Sequence, residues 1–435
     1  MTPGARIAAA IEILEKIEGA ISPAEDIISA YLRRRRYIGS KDRRYITEVV
    51  YGVQRRQARL DWLTGINLPR IRVIANLFLV NRTPKTELMS IFSGDRYSPS
   101  NLIEQEIEIL DKLSDKSFEH SDYPSQIAAE LPVWIADILN TYWGVKFEYE
   151  ASALNKPADL NIRINTIKGS SKRILDILQR DKIKTKTTNL SPIGLKVEGR
   201  TNLKASTAFK GGFIEIQNEG SQLVAALVET RANMKTIDLC AGSGGKTLAL
   251  GATMRDGGPL IACDTNINRL KKLKPRLKRS GLTNVTIKNL LGDHDPFYKE
   301  HELSAERVLI DVPCSGSGTW RRTPSQKWKF TKSHFREIIQ LQKKIMSQGA
   351  NLVIKGGRLI YATCSVIPEE NEEQVAWFLQ RHRNFTAVSV SQIWKKVLDT
   401  ECPSNALIDN TYLSLTPARH DTDGFFTAVL EKTDN

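Results

Sequence analysis

At 435 residues the chain is too long for one core, and 41% hydrophobic content excludes wholesale disorder. Its 63 Lys and Arg against 49 Asp and Glu leave a formal charge of +14, which points to a polyanionic partner such as nucleic acid. Five widely spaced cysteines and six scattered histidines make neither a disulfide framework nor a zinc pattern, and no apolar run reaches the roughly 20 residues of a membrane span. Reduced thiols, and an N-terminus carrying Arg6, Glu12, Glu15 and Glu18 instead of a signal-peptide core, predict a cytoplasmic protein without a metal or membrane partner.

Residues 1–145 read as all-helical. Ile7, Ile11, Leu14 and Ile17 recur at helical spacing. Ser22-Pro23-Ala24-Glu25 has the pattern of a capping box with Pro at the first helical position, and the helix it opens ends in Arg33-Arg34-Arg35-Arg36. A second basic helix is expected over Lys41–Leu63, with Ile46, Val49, Val50 and Val53 on its apolar side. Positive charge recurring over two successive helices makes RNA contact an expectation for this domain. Amphipathic helices are predicted over Ser98–Leu113 and Leu131–Tyr142. Residues 146–218 then change pattern, to a small α+β module of RRM-like plan. Strands are expected over Leu160–Asn165, Ile193–Glu198 and Gly212–Gln217, and a helix over Ser171–Gln179. The module lacks the Gly/Phe signature of an RNA recognition motif.

From residue 219 to 435 strands alternate with helices, which predicts an α/β fold with a mostly parallel, doubly wound sheet. Five motifs sit at strand ends, where the chemistry of such sheets collects. Thr236–Leu239 runs into Cys240-Ala241-Gly242-Ser243-Gly244-Gly245-Lys246-Thr247, glycines that let backbone N–H groups approach a ligand at a helix N-terminus. Leu260–Asp264 ends on an acid placed for ribose hydroxyls or for a helix N-cap. A basic stretch from Arg269 to Arg279 follows, interrupted by Pro275 and stopped at Gly281; Gly292-Asp293 comes after a strand around Val285–Lys288. Val308–Asp311 closes on an acid, with Cys314 three residues on in a Gly/Ser loop. Arg358–Ala362 is the last of these strands, and Cys364 sits just past it. One cysteine of this kind is an ordinary core filler. Two at strand ends of one sheet are poorly explained that way.

Gly245-Lys246-Thr247 also matches the end of a phosphate-binding P-loop, and Asp311 resembles a Walker-B acid. The leading glycine is absent, since Cys240 stands there. An RNA-acting NTPase and a non-catalytic RNA-binding assembly factor are therefore the alternatives to an enzyme that uses both thiols. The segment Trp320-Arg321-Arg322 and Lys327-Trp328-Lys329 interleaves cations with aromatics, as a loop contacting unpaired RNA would.

Asp238–Thr247, Asp311-Val-Pro-Cys-Ser-Gly316, Ala362-Thr-Cys-Ser365, Gln217–Gln222 and Asp423-Gly-Phe-Phe426 together resemble the Sun/Nop family of RNA cytosine-5 methyltransferases. Ser243 departs from the family's usual Pro, and Asn218-Glu219-Gly220 from its commoner Asp-Glu-Ala; neither removes a reacting group. The helical N-terminus resembles the NusB-like domain of the bacterial RsmB branch, which acts on ribosomal RNA. The resemblance implies a Rossmann-like S-adenosyl-L-methionine-dependent domain with a seven-stranded sheet, and a monomer is expected. It implies Cys364 as the thiolate attacking cytosine carbon-6, Cys314 as the group assisting release, and Asp311 at the ring edge. It further implies that Cys240–Lys246, Asp264, Arg269 and Asp293 line the cofactor site, bordered by Asp311. Lys246 is a candidate for the positive neighbour that raises the thiolate fraction. Arg321, Arg322, Lys327, Trp328 and Arg33–Arg36 are the expected RNA contacts.

Overall fold

Thr2 caps the first helix, Pro3–Glu18, by accepting from Ala5 N through its hydroxyl, and Pro3 occupies the first turn, where its missing N–H costs nothing. The computed structural model describes all residues except Ile21, His120, Ser121, Arg200, Asp434 and Asn435. It divides into two compact units: Met1–Lys156 with Trp320–Thr331, and Pro157–Thr319 with Lys332–Asn435.

The first unit is helical around one apolar core that includes Ile7, Leu14, Ile46, Val50, Leu60, Ile74 and Leu110. Several boundaries differ from expectation for local reasons. The capping box is not formed. Pro23 is the N-cap of Ala24–Arg34, has no side-chain acceptor, and leaves Ser22 outside the helix. The basic helix breaks at Arg56 (φ −112°, ψ 14°) into Ser40–Arg55 and Gln57–Thr64. Ser98–Leu113 becomes helical only at Glu104. Pro99 biases Ser98 away from helical backbone, and the Glu106 carboxylate accepts from Ile103 N at 3.1 Å to start the helix late. The stretch before Pro157, whose pattern suggested a boundary near residue 145, carries one more helix, Phe147–Asn155.

In the second unit β1 (Asn161–Ile164), β2 (Thr185–Thr187), β3 (Gly194–Val197) and β4 (Ile214–Ile216) form an antiparallel sheet of order β2-β3-β1-β4. The helix Ser171–Arg180 packs on it through Ile174 and Leu178. β2, Thr-Lys-Thr, has no apolar residue and escaped the sequence pattern.

This small sheet shares one compact unit with the larger one because polar side chains tie them together. Asn165 Nδ2 donates to Ser280 O at 2.9 Å, Ser191 Oγ donates to Gln222 Oε1 at 2.8 Å, and the buried Glu219 accepts from Ser191 N at 2.8 Å.

The larger sheet has nine strands: β5 (Thr236–Asp238), β6 (Leu260–Asp264), β7 (Val285–Asn289), β8 (Ala305–Asp311), β9 (Val353–Thr363), β10 (Phe385–Val388), β11 (Leu407–Ile408), β12 (Tyr412–Leu415) and β13 (Phe425–Lys432). β7-β6-β5-β8-β9 run parallel, and β13 lies antiparallel to β9. The far edge of β13 is shared: β12 pairs with Phe425–Thr427 and β10 with Val429–Lys432. β10 and β12 share that long neighbour and β11 pairs beyond β12, which gives nine strands where seven were expected. β5, β6, β8 and β9 read as apolar runs because helices cover both faces of such a sheet. Their carboxyl ends all open toward one edge, the placement that open α/β sheets use for ligands.

Candidate active site

β8 ends at Asp311 and β9 at Thr363, side by side in parallel register, with Asp311 opposite Ala362. Each strand then turns sharply away. Val312 N donates to Ala362 O at 3.0 Å and Gly318 N to Cys364 O at 3.0 Å, so the two loops run together past the sheet edge. The loop after β8 also packs on the turn before β13, where Gly318 and Gly424 face each other; a Cβ on Gly318 would lie 2.3 Å from Gly424 O. The result brings Cys314 Sγ to 3.4 Å from Cys364 Sγ, both half-buried. The hydrogen bond with Cys364 and burial hold the Cys314 thiol well above its ordinary pKa.

Lys246, in the first turn of the helix Gly245–Thr253, is buried, and its Nζ donates to Asp311 Oδ2 at 2.6 Å. The partner shown for Lys246, a candidate neighbour of a thiol, is the strand-end acid. That pair also orients the Asp311 carboxylate, which is 31% exposed.

The glycine turn is built as its residues require. Gly242 has φ +56° and Gly244 φ +84°, and the Arg269 guanidinium packs where a Gly242 Cβ would stand, 2.4 Å from Nη2. Asp264 joins turn to strand: its carboxylate accepts from Gly242 N and Asn266 N, each at 2.7 Å. Arg269 is exposed and reaches Asp264 at 3.9 Å. The Ser243 carbonyl accepts from Arg276, whose other nitrogen pairs with the buried Glu215 of β4 at 3.1 Å, so the small sheet braces the glycine turn. Arg276 is presented by the helix Leu273–Ser280, which tolerates Pro275 in its first turn and ends on Gly281 with φ +80°.

Under the turn, Asp238 is buried. Its Oδ2 accepts from Thr247 Oγ1 at 2.7 Å and its Oδ1 has no hydrogen-bond partner. Burial pushes its carboxyl up to about 7. Burial likewise raises the Cys240 thiol well above its ordinary value.

Asp293 is exposed and paired with Lys344. The buried acid of its turn is Asp295, which accepts from Leu291 N at 2.8 Å and Phe297 N at 2.9 Å.

Sequence reasoning missed Glu370, which has no exposed surface and accepts hydrogen bonds from both cysteine loops. In the sequence it is one of two adjacent acids in Pro368-Glu369-Glu370-Asn371, a stretch that reads as a solvated turn.

The expected RNA loop is also placed differently. Trp320–Thr331 belongs to the helical unit, where Arg321 and Lys327 are buried. Lys327 Nζ donates to Asn155 Oδ1 at 3.0 Å, and Trp328 Nε1 to Gln54 O at 2.9 Å. Burial pulls the Lys327 ammonium down to about 8. Arg321 and Lys327 are therefore interior residues, not open phosphate contacts; Arg322 and Trp328 are half-buried. Of the four-arginine run, Arg33, Arg34 and Arg36 are exposed, while Arg35 pairs with Glu12 and lies 3.7 Å over the Tyr31 ring. Among the described residues no group of His, Cys, Asp and Glu could hold a metal ion, and no single helix is long and apolar enough to cross a membrane.

The model of the family "16S rRNA methyltransferase RsmB/F" matches residues 225–431, and that of the RsmF/B-like ferredoxin-like domain matches residues 131–204. A probable ribosomal RNA small subunit methyltransferase B of Synechocystis is 30% identical over 424 residues, covering 90% of this chain and 91% of the relative. Among solved structures, the protein PH0851 is similar with a TM-score of 0.78 at 26% identity, covering 99% of each chain. A methyltransferase homologue from Pyrococcus horikoshii is similar with a TM-score of 0.59 at 25% identity, covering 71% of this chain and 97% of that one.

Proposed function

The chain belongs to the RsmB/F family of 16S rRNA methyltransferases, and on that premise we propose that it methylates ribosomal RNA at cytosine carbon-5 through a covalent cysteine adduct. The observation that carries this reading is the 3.4 Å between the sulfurs of Cys314 and Cys364. A methyltransferase acting on a nucleophilic nitrogen or oxygen has no use for two facing thiols. Carbon-5 of cytosine is too weakly nucleophilic to react unaided, and covalent catalysis divides the difficult step.

The residues around the glycine turn suit S-adenosyl-L-methionine. Gly242 and Gly244 hold the backbone in conformations that favour glycine, Asp264 presents a buried carboxylate at the end of β6, and Asp238 Oδ1 is a buried acceptor with no partner. When bound, that donor supplies an electrophilic methyl group. In this reading the Cys364 thiolate adds to carbon-6, forming an S–C bond and making carbon-5 enamine-like. After carbon-5 has gained the methyl group, Cys314 gives its own proton to solvent and, as thiolate, takes the carbon-5 proton. The C–S bond then breaks, its electron pair returns to Cys364, and the ring is restored. The Lys246–Asp311 pair holds an acid at the strand end where the cytosine amino group or N3 is met. The target base has to leave its stack to reach sulfurs seated past a sheet edge, which favours a loop or unfolded precursor as substrate. The exposed Arg33, Arg34 and Arg36 are suited to RNA phosphates. Reduced thiols suit the cytoplasm.

The test is tritiated methyl transfer to unmethylated small-subunit RNA. Cys364→Ala is expected to reduce transfer to background; full activity would overturn the covalent route. Cys314→Ala is expected to accumulate a protein–RNA adduct that survives a denaturing gel, and absence of the adduct would remove its role in release.

A further inference from the structure

Glu370 closes the turn Pro368–Glu370 with no exposed surface. Its Oε1 accepts from Ser315 N at 2.7 Å and from Gln342 Nε2 at 3.0 Å. Its Oε2 accepts from the hydroxyls of Ser315 and Ser365, each at 2.5 Å. Ser315 directly follows Cys314, and Ser365 directly follows Cys364. One carboxylate thus grips the residue beside each thiol. The surrounding polar groups continue the clamp. Gln342 Nε2 also donates to Pro313 O at 3.0 Å, Ser317 Oγ lies 2.9 Å from Ser365 Oγ, and Val366 N donates to Ser317 Oγ at 2.9 Å. Tyr361 of β9 donates to the Glu370 carbonyl at 2.6 Å, which anchors the clamp to the sheet.

Among the described residues no cation pairs with Glu370; its donors are hydroxyls, an amide and a backbone N–H. A buried acid without a counter-charge is costly, and an apolar residue would fill the space at less expense. What an apolar side chain cannot do is accept three hydrogen bonds from two loops and a fourth from the helix Lys332–Leu352 at once.

We propose that Glu370 is a positioning residue that sets the distance between the Cys314 and Cys364 sulfurs, and hence the rate of the two-thiol reaction. The inference rests on the cytosine-5 reading for its kinetic consequence but not for its geometric one. Phenylarsine oxide separates the two. It forms two As–S bonds with a pair of adjacent thiols, its oxygen leaving as water with both thiol protons, and it binds single thiols far more weakly.

Three measurements are made on Glu370→Ala and Glu370→Gln in the full chain: phenylarsine oxide affinity, S-adenosylhomocysteine affinity, and kcat and KM for RNA methylation. Cys314→Ala and Cys364→Ala serve as the zero points for arsenical capture. In Glu370→Ala, arsenical affinity is expected to fall at least tenfold, with S-adenosylhomocysteine affinity and KM within twofold of wild type. Its kcat should fall on the order of 100-fold, as about 1 Å of misplacement can cause. Glu370→Gln keeps one acceptor oxygen and should recover part of both losses. If Glu370→Ala does not fold, the double variant Ser315→Ala/Ser365→Ala cuts one tether to each loop and should show the same pattern. Arsenical affinity and kcat both at wild-type level would overturn the proposal, as would loss of kcat with arsenical capture intact. A wild-type protein that transfers no methyl to cytosine, yet loses arsenical capture in Glu370→Ala, would sink the cytosine-5 reading and leave the positioning role standing.

Discussion

Glu130 and Glu370 are two glutamates with no exposed surface, one in each unit, and they keep a buried charge by opposite means. Glu130 has cations for company. Its carboxylate accepts from Arg59 Nε at 2.9 Å, and the buried Lys327 adds positive potential. It also accepts from Ala58 N at 2.8 Å and Arg59 N at 3.3 Å. It thereby serves as the anion at the start of the helix Gln57–Thr64, whose own N-cap, Arg56, makes no side-chain cap. Glu370 has only neutral donors, but four of them. In both, burial raises the carboxyl and the partners lower it. An acid among cations holds a helical unit together; an acid among neutral donors fixes the geometry of two loops. The first arrangement should be felt mainly in stability and the second mainly in rate.

The largest expected effect breaks the comparison at its charged end. Glu130→Gln leaves the buried Lys327 without its nearby counter-charge and Arg59 with only the exposed Glu119, and unfolding monitored in urea should show a loss of about 3–5 kcal/mol. Glu370→Gln strands neutral donors instead, and the same titration should show about 1–3 kcal/mol. Equal losses would mean that the distinction drawn between the two acids is wrong.

His420 sharpens the point for a base. It is buried, its Nδ1 accepts from Thr416 N at 3.0 Å, and burial pulls its pKa down from 6.5 to about 4. The fold therefore prefers the neutral ring. That contribution is whole above pH 6.5 and is lost as pH falls toward 4, at no more than about 1.4 kcal/mol per unit. Wild type should lose more stability between pH 7 and 5 than His420→Gln does. The smallest effect concerns Arg35 and Glu12, which are 31% and 38% exposed. Arg35→Ala should cost under about 1 kcal/mol, and raising salt should abolish the difference.

Much of the site was legible because its residues announce themselves locally. Cys314 and Cys364 each follow an apolar run that ends abruptly, and Gly242, Gly244 and Gly245 follow another. Lys246 and Asp311 were visible as charged groups at strand ends, but their pairing was not, since β5 and β8 are some 70 residues apart and only their register makes Lys246 and Asp311 neighbours. Lys327 and Arg321 looked like RNA contacts because cations beside tryptophans usually are exposed. The helical unit instead supplies Asn155 and a nearby Glu130 to hold Lys327. Glu370 gave no signal at all, because a buried acid and a solvated one are the same letter.

The order of strands and helices, the acids and thiols at strand ends and the helical start of the chain follow from hydrophobic period and turn chemistry, which act over a few residues. The facing of two sulfurs, the pairing of Lys246 with Asp311 and the choice of which charges are buried come from packing between segments up to 200 residues apart. Burial is decided by everything that surrounds a side chain, and no stretch of sequence contains its own surroundings.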